Sequence, residues 1–119
     1  RLWRILISTS FMCAIMVFIE TTLFTKQIQA LISDETYRLL QEELVIRPDK
    51  GDLISNGGGI RKIRCGQGNK GKSGGIRIIY YWLSEDEQIY FLLAYPKSVR
   101  DNLTDQETAI LRKLVKEAF

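Results

Sequence analysis

Six cations fall within one stretch of this chain, and their types and order set the chemistry open to it. Gly57 to Leu83 reads GGGIRKIRCGQGNKGKSGGIRIIYYWL, carrying Arg61, Lys62, Arg64, Lys70, Lys72 and Arg77 and no acidic residue. The whole chain has a formal charge of only +3, so positive charge is concentrated here and nearly cancelled elsewhere. A solvated face without a ligand normally mixes both signs. Closely spaced guanidinium and ammonium groups suit phosphate oxygens, so the expected ligand is a polyanion, with RNA the first candidate.

Composition removes several other chemistries. The chain has no histidine, which excludes histidine general acid–base catalysis, histidine metal ligation and histidine-dependent triads. Cys13 and Cys65 stand far apart with no second pair, which suggests neither a zinc site nor a disulfide framework. Cys65 reads as a small buried hydrophobe, and this cysteine usage fits a reducing, cytoplasmic setting. Gly66, Gly71, Lys72 and Ser73 match the spacing of a nucleotide-binding P-loop. The residues after Ser73 read as a strand, so the helix N-terminus that would hold phosphate is missing.

The elements that must position the cations emerge from periodicity. At 119 residues the chain is one domain. Residues 1–15, RLWRILISTSFMCAI, read as an extension before a natural start at Met16. The apolar run is too short, and too interrupted by Ser8, Thr9 and Ser10, to span a bilayer. The body is then 16–119. Val17 to Thr21 opens it as a β-like run, and Leu23, Phe24, Ile28 and Leu31 recur at helical spacing. Ser33 is an N-cap for a second helix, with Tyr37, Leu40 and Leu44 on its apolar face; Pro48 ends it, and Asp49 to Asp52 make a turn.

Three strands are expected over Gly59–Cys65, Gly75–Leu83 and Gln88–Tyr95, the last two joined by a turn at Ser84–Glu87. Their consecutive apolar residues indicate central strands covered on both faces. A final helix starts at Thr104, with Glu107 completing a capping box. The order β-α-α-β-β-β-α makes a small α+β domain: an antiparallel-rich sheet packed on helices. Strand alternation places Lys62 and Arg64 on one face and Arg61 on the other. Tyr80, Tyr81, Trp82 and Tyr95 could stack on bases, with core packing the simpler reading.

In this order and spacing the residues resemble the HigB group of RelE-type toxins from bacterial toxin–antitoxin pairs, across nearly all of 16–119. The motifs that carry the similarity are GGIRKIR, the Lys-x-Lys loop ending GGIRIIYY, and Lys97 followed by Asp101 and Leu103. The resemblance implies a RelE-like fold and a metal-independent endoribonuclease, without cofactor, that cuts mRNA in the ribosomal A site. It also implies a cognate, HigA-like antitoxin. By the family pattern Arg77 is the phosphate clamp, and Arg61, Lys62 and Arg64 fall on the family's basic strand. Alternation makes Lys62 and Arg64 the preferred pair. Lys97, at the mouth of the last strand, is a second cation near the leaving group. Arg61, Lys70, Lys72 and Tyr95 would contact RNA.

Departures from the pattern are Pro96 in place of glycine, Ser73 in place of arginine, Gly68 in place of lysine, and Thr104 where some relatives keep a stacking tyrosine. Alternative readings are a ParE-like gyrase inhibitor on the same fold and an inactive relative retained for antitoxin binding.

Overall fold

The structure, a computed structural model, describes residues 3–9, 15–66, 75–100 and 102–118. Strand β1 (Trp3–Thr9) pairs antiparallel with β2 (Ile15–Thr21). Thr21 ends β2 and caps helix α1 (Thr22–Leu31), its Oγ1 accepting from the Phe24 N–H at 3.0 Å. Ser33 caps α2 (Asp34–Ile46) in the same way, accepting from the Thr36 N–H at 3.1 Å. Each cap satisfies an N–H that the helix itself leaves open. Pro48 comes soon after α2, because a proline cannot continue its hydrogen-bond ladder.

A two-residue strand β3 (Asp52–Leu53) then pairs antiparallel with β4 (Ile60–Cys65). The sequence reading has only a turn at Asp49–Asp52; two residues are too few to show a period. Strands β5 (Ile76–Leu83) and β6 (Gln88–Pro96) are joined by a single 3₁₀ turn at Ser84–Asp86, and α3 (Asp105–Ala118) closes the chain. The sheet order is β1-β2-β6-β5-β4-β3. Among the described strands only β2 and β6 pair in parallel; the other neighbours are antiparallel.

Helices α1 and α2 cover one face of the sheet and α3 the other. Under α1 and α2, Phe24, Ile28, Leu40 and Leu44 pack on Phe18, Ile63, Ile78, Tyr80 and Phe91. Under α3, Val115 packs with Ile19, Ile60, Ile79, Leu92 and Tyr95. This explains the unbroken apolar runs of β5 and β6: both of their faces are buried. The register shifts between Ile79, opposite Leu93, and Tyr80, opposite Phe91, so Leu92 is an extra residue in β6. The Thr21 hydroxyl donates to the Leu92 carbonyl at 2.9 Å, supplying a partner at this bulge.

The α2–β3 connection is tied to the sheet by two side chains. The Tyr80 hydroxyl donates to the Pro48 carbonyl and accepts from the Gly51 N–H, both at 2.8 Å, and Arg61 Nη1 donates to the Asp49 and Gly51 carbonyls. A Cβ on Gly51 would stand 2.8 Å from the Tyr80 ring, so the close approach requires glycine. Tyr80→Phe leaves two backbone groups without this partner. It is expected to cost about 1–3 kcal/mol, a drop of several degrees in Tm. A melting curve that superimposes on wild type would mean the hydroxyl holds nothing.

Candidate phosphate-binding site

The pairing register brings the cations of separate strands into line. Arg64 on β4 lies opposite Arg77 on β5, and Arg77 lies opposite Tyr95 on β6. Directly opposed residues of antiparallel strands share a face, and here it is the face of Ile79, Tyr95 and α3. Lys62, opposite Ile79, forms the next row on the same face. Arg77 is 1% exposed, the largest fully buried side chain among the described residues, whereas Arg64 reaches solvent. Lys62 is half-buried and its Nζ donates to Asn102 Oδ1 at 2.6 Å.

Backbone contacts hold this end of the sheet. The Lys97 N–H donates to the Gly75 carbonyl at 3.1 Å, just past the end of β6. A Cβ on Gly75 would stand 2.2 Å from the Cys65 carbonyl oxygen, so only glycine lets β5 begin this close to β4. The root of the basic loop is thereby fixed beside Arg64 and Arg77.

The N-terminus of α3 is clamped to the same end. Arg100 Cζ lies 4.5 Å from the Tyr95 ring centroid, within cation–π range, and Arg100 Nη1 donates to both carboxylate oxygens of Glu107. Glu107 Oε1 also accepts from the Thr104 N–H at 2.9 Å, while the Glu107 N–H donates to Thr104 Oγ1 at 3.1 Å. This is the capping box expected from Thr104 and Glu107.

The Arg100 hydrogen bond, and after it that of the Thr104 N–H, lowers the Glu107 carboxyl from 4.5 to about 2. The folded-state value is depressed, so its stabilisation is present in full above about pH 4.5 and is lost as pH falls toward 2. Acid titration of the unfolding midpoint is expected to show this loss for wild type and a shallower slope for Glu107→Gln. Parallel slopes would remove the clamp from the acid response.

A model of the RelE toxin of the RelE/RelB toxin–antitoxin system matches residues 16–119. The chain belongs to the RelE toxin family. Like other members it is a toxin of a toxin–antitoxin system, and an antitoxin is its partner. Its α+β sheet with a C-terminal helix is consistent with a RelE-like fold. The strand β1 precedes the matched region. No helix among the described residues is long and apolar enough to cross a membrane.

Within this RelE-family frame the residues singled out by sequence divide clearly. Lys62, Arg64 and Arg77 are brought to one face, with Lys97 at the end of β6 beside the loop root. Arg61 is not: it lies on the α1–α2 side and binds the Asp49 and Gly51 carbonyls. Lys70, Lys72 and Asp101 lie outside the described residues. Tyr95 is 4% exposed and Arg100 covers its ring, so as arranged it offers no stacking face. Tyr80 is wholly buried, and Tyr81 and Trp82 pack against the two cores, as the simpler reading expected.

Sequence reasoning missed Arg100 and Asn102. The spacing of Arg100 from Glu107, itself legible as a capping residue, was a usable signal for the first. Asn102 carried none.

Proposed function

We propose that this toxin is a metal-independent endoribonuclease of the HigB type, which cuts translated mRNA in the ribosomal A site and is silenced by a cognate, HigA-like antitoxin. The body that does so is 16–119, with 1–15 as an extension, and the setting is the cytoplasm. The observation that carries this reading is the alignment of buried Arg77 with Arg64, beside Lys62, on a single face of the sheet.

In the proposed reaction the RNA 2′-oxygen forms a bond to the adjacent phosphorus and the bond from phosphorus to the 5′-oxygen breaks. The products are a 2′,3′-cyclic phosphate and a free 5′-hydroxyl. Negative charge grows on the non-bridging oxygens as the fifth bond forms. Arg77, 1% exposed, supplies a fixed positive charge from beneath the surface at that moment, without touching the phosphate as arranged. Arg64 adds a second, solvent-facing charge. A proton must leave the 2′-hydroxyl and another must reach the 5′-oxygen; Lys62 and Lys97 are assigned to these transfers.

The reading is tested by inducible expression of the chain in bacteria with mapping of mRNA 5′ ends. Growth arrest with new cuts inside translated codons is expected. Arrest without cuts would transfer the toxin to the gyrase-directed class, and no arrest would indicate an inactive relative.

A further inference from the structure

The two edges of the sheet end differently. At one stands β3, two residues long and opened by Asp52, too short for another chain to pair with. At the other stands β1, seven residues long, without proline and with Arg4 its only charge. Trp3, Ile5, Leu6 and Ile7 make this strand apolar. Its outer row of N–H and C=O groups meets no other strand among the described residues. Such an edge is a template for pairing with a further strand. β1 precedes the residues that the RelE model matches, so the edge it makes is no part of that match.

We propose that β1 is a homodimer joint: the β1 strands of two copies pair antiparallel about a two-fold axis at Leu6. Two sheets of six strands then become one of twelve. The sequence of the strand selects this occupant. An axis at Leu6 sets Ile5 of one copy opposite Ile7 of the other, and Arg4 opposite Ser8. Within each copy Leu6 already lies opposite Phe18, Ile5 opposite Ile19, Ile7 opposite Val17 and Arg4 opposite Glu20. Directly opposed residues share a face, so these rows continue across the joint. One runs Phe18, Leu6, Leu6, Phe18; the next runs Val17, Ile7, Ile5, Ile19.

Every position in both rows is apolar, and the Arg4 of each copy meets a serine, so like charges stay apart. An axis at Ile5 would set Arg4 against Leu6, and one at Ile7 would set Leu6 against Ser8. Leu6 is the centre that keeps apolar with apolar and polar with polar. A foreign strand has no need of this self-complementarity, whereas a second copy depends on it. The joint lies two strands from β6, so it leaves Arg64 and Arg77 uncovered and is independent of the nuclease reading.

The test is analytical ultracentrifugation of the full-length chain at low salt over a range of concentrations, with wild type, Ser8→Glu and Ser8→Arg. Wild type should be a dimer that dissociates on dilution. Ser8→Glu meets Arg4 of the other copy at both ends of the joint and should tighten the dimer roughly fivefold. Ser8→Arg meets it with like charge and should loosen the dimer by about as much. Added salt should shrink both effects. General damage to β1 would move the two variants in one direction, whereas the joint moves them apart. A wild type that stays monomeric at every concentration, or a dimer on which the variants act alike or not at all, would overturn the proposal. So would a monomer whose affinity for the antitoxin follows the charge at Ser8, since the edge would then belong to that partner.

Discussion

Replacing Arg77 is expected to abolish growth arrest and mRNA cutting while the antitoxin partner still binds. Mutation of one preorganised donor to a developing phosphorane or oxyanion typically costs about 10²–10³ in rate, enough to silence a toxin in a growing culture. The choice of replacement decides what is learned. Arg77 is 1% exposed and packed on β5, between Arg64 and Tyr95. An alanine there would remove most of a large buried side chain and leave a cavity, so loss of activity could reflect loss of fold.

Methionine keeps much of the length and volume and removes the charge. Removing one member of a buried polar contact is destabilising, but methionine leaves no large cavity. Arg77→Met should therefore stay folded, with a lowered unfolding midpoint, and yet produce no new mRNA 5′ ends. A folded Arg77→Met protein that still cut at near wild-type rate would sink Arg77 as the clamp. The site would then have to be rebuilt around Arg64 and Lys97. Arg61→Met serves as the contrasting control. Its guanidinium holds the Asp49 and Gly51 carbonyls on the opposite face, so it should lower stability and leave the cutting pattern intact.

That contrast also marks where sequence ceases to inform. The caps at Ser33 and Thr104, the strand pair around Ser84–Asp86 and the burial of β5 and β6 obey local rules, so they were legible before any coordinates. Alternation separated Arg61 from Lys62 and Arg64 without showing which helices cover each face. The answer depends on α1 and α2 taking one side of the sheet and α3 the other, a tertiary choice that no single strand encodes.

Leu92 is a similar case. A bulge is one residue of slack between two strands, visible only once Tyr80 and Phe91 are seen opposite each other. Tyr95 was eligible for base stacking by type and position, but Arg100 takes the ring face first. Side chains that compete for one partner cannot be ranked from spacing.

Phe91→Ala is expected to be the most destabilising single change in the chain. Phe91 has no exposed surface, and its ring stacks on Phe24 at 4.9 Å and on Phe18 at 5.6 Å between centroids. Tyr37 meets it edge-on at 5.7 Å, and Tyr80 approaches at 6.5 Å. One ring thus joins β2, α1, α2 and β5, all on the face away from the row of Arg64, Arg77 and Tyr95. Truncation of a buried phenylalanine costs about 3–5 kcal/mol, and the loss of offset aromatic contacts places this one at the upper end.

Against a total stability of about 5–15 kcal/mol, that leaves a large share of the chain unfolded at growth temperature. Phe91→Leu should recover about half of the loss, because it keeps the apolar volume and forfeits the ring stacking. Denaturant unfolding of the three proteins reads both terms at once. If alanine and leucine were equally harmful, the ring geometry would matter more than burial. If both were mild, the two helices would be held to the sheet by something other than this cluster.

The consequence for function is directional. Because Phe91 lies on β6 four residues before Tyr95, loosening α1 and α2 reaches the row of Arg64, Arg77 and Tyr95 only through the strand itself. Whatever fraction of Phe91→Leu remains folded should therefore keep the wild-type cutting pattern, with toxicity reduced in proportion to the folded population.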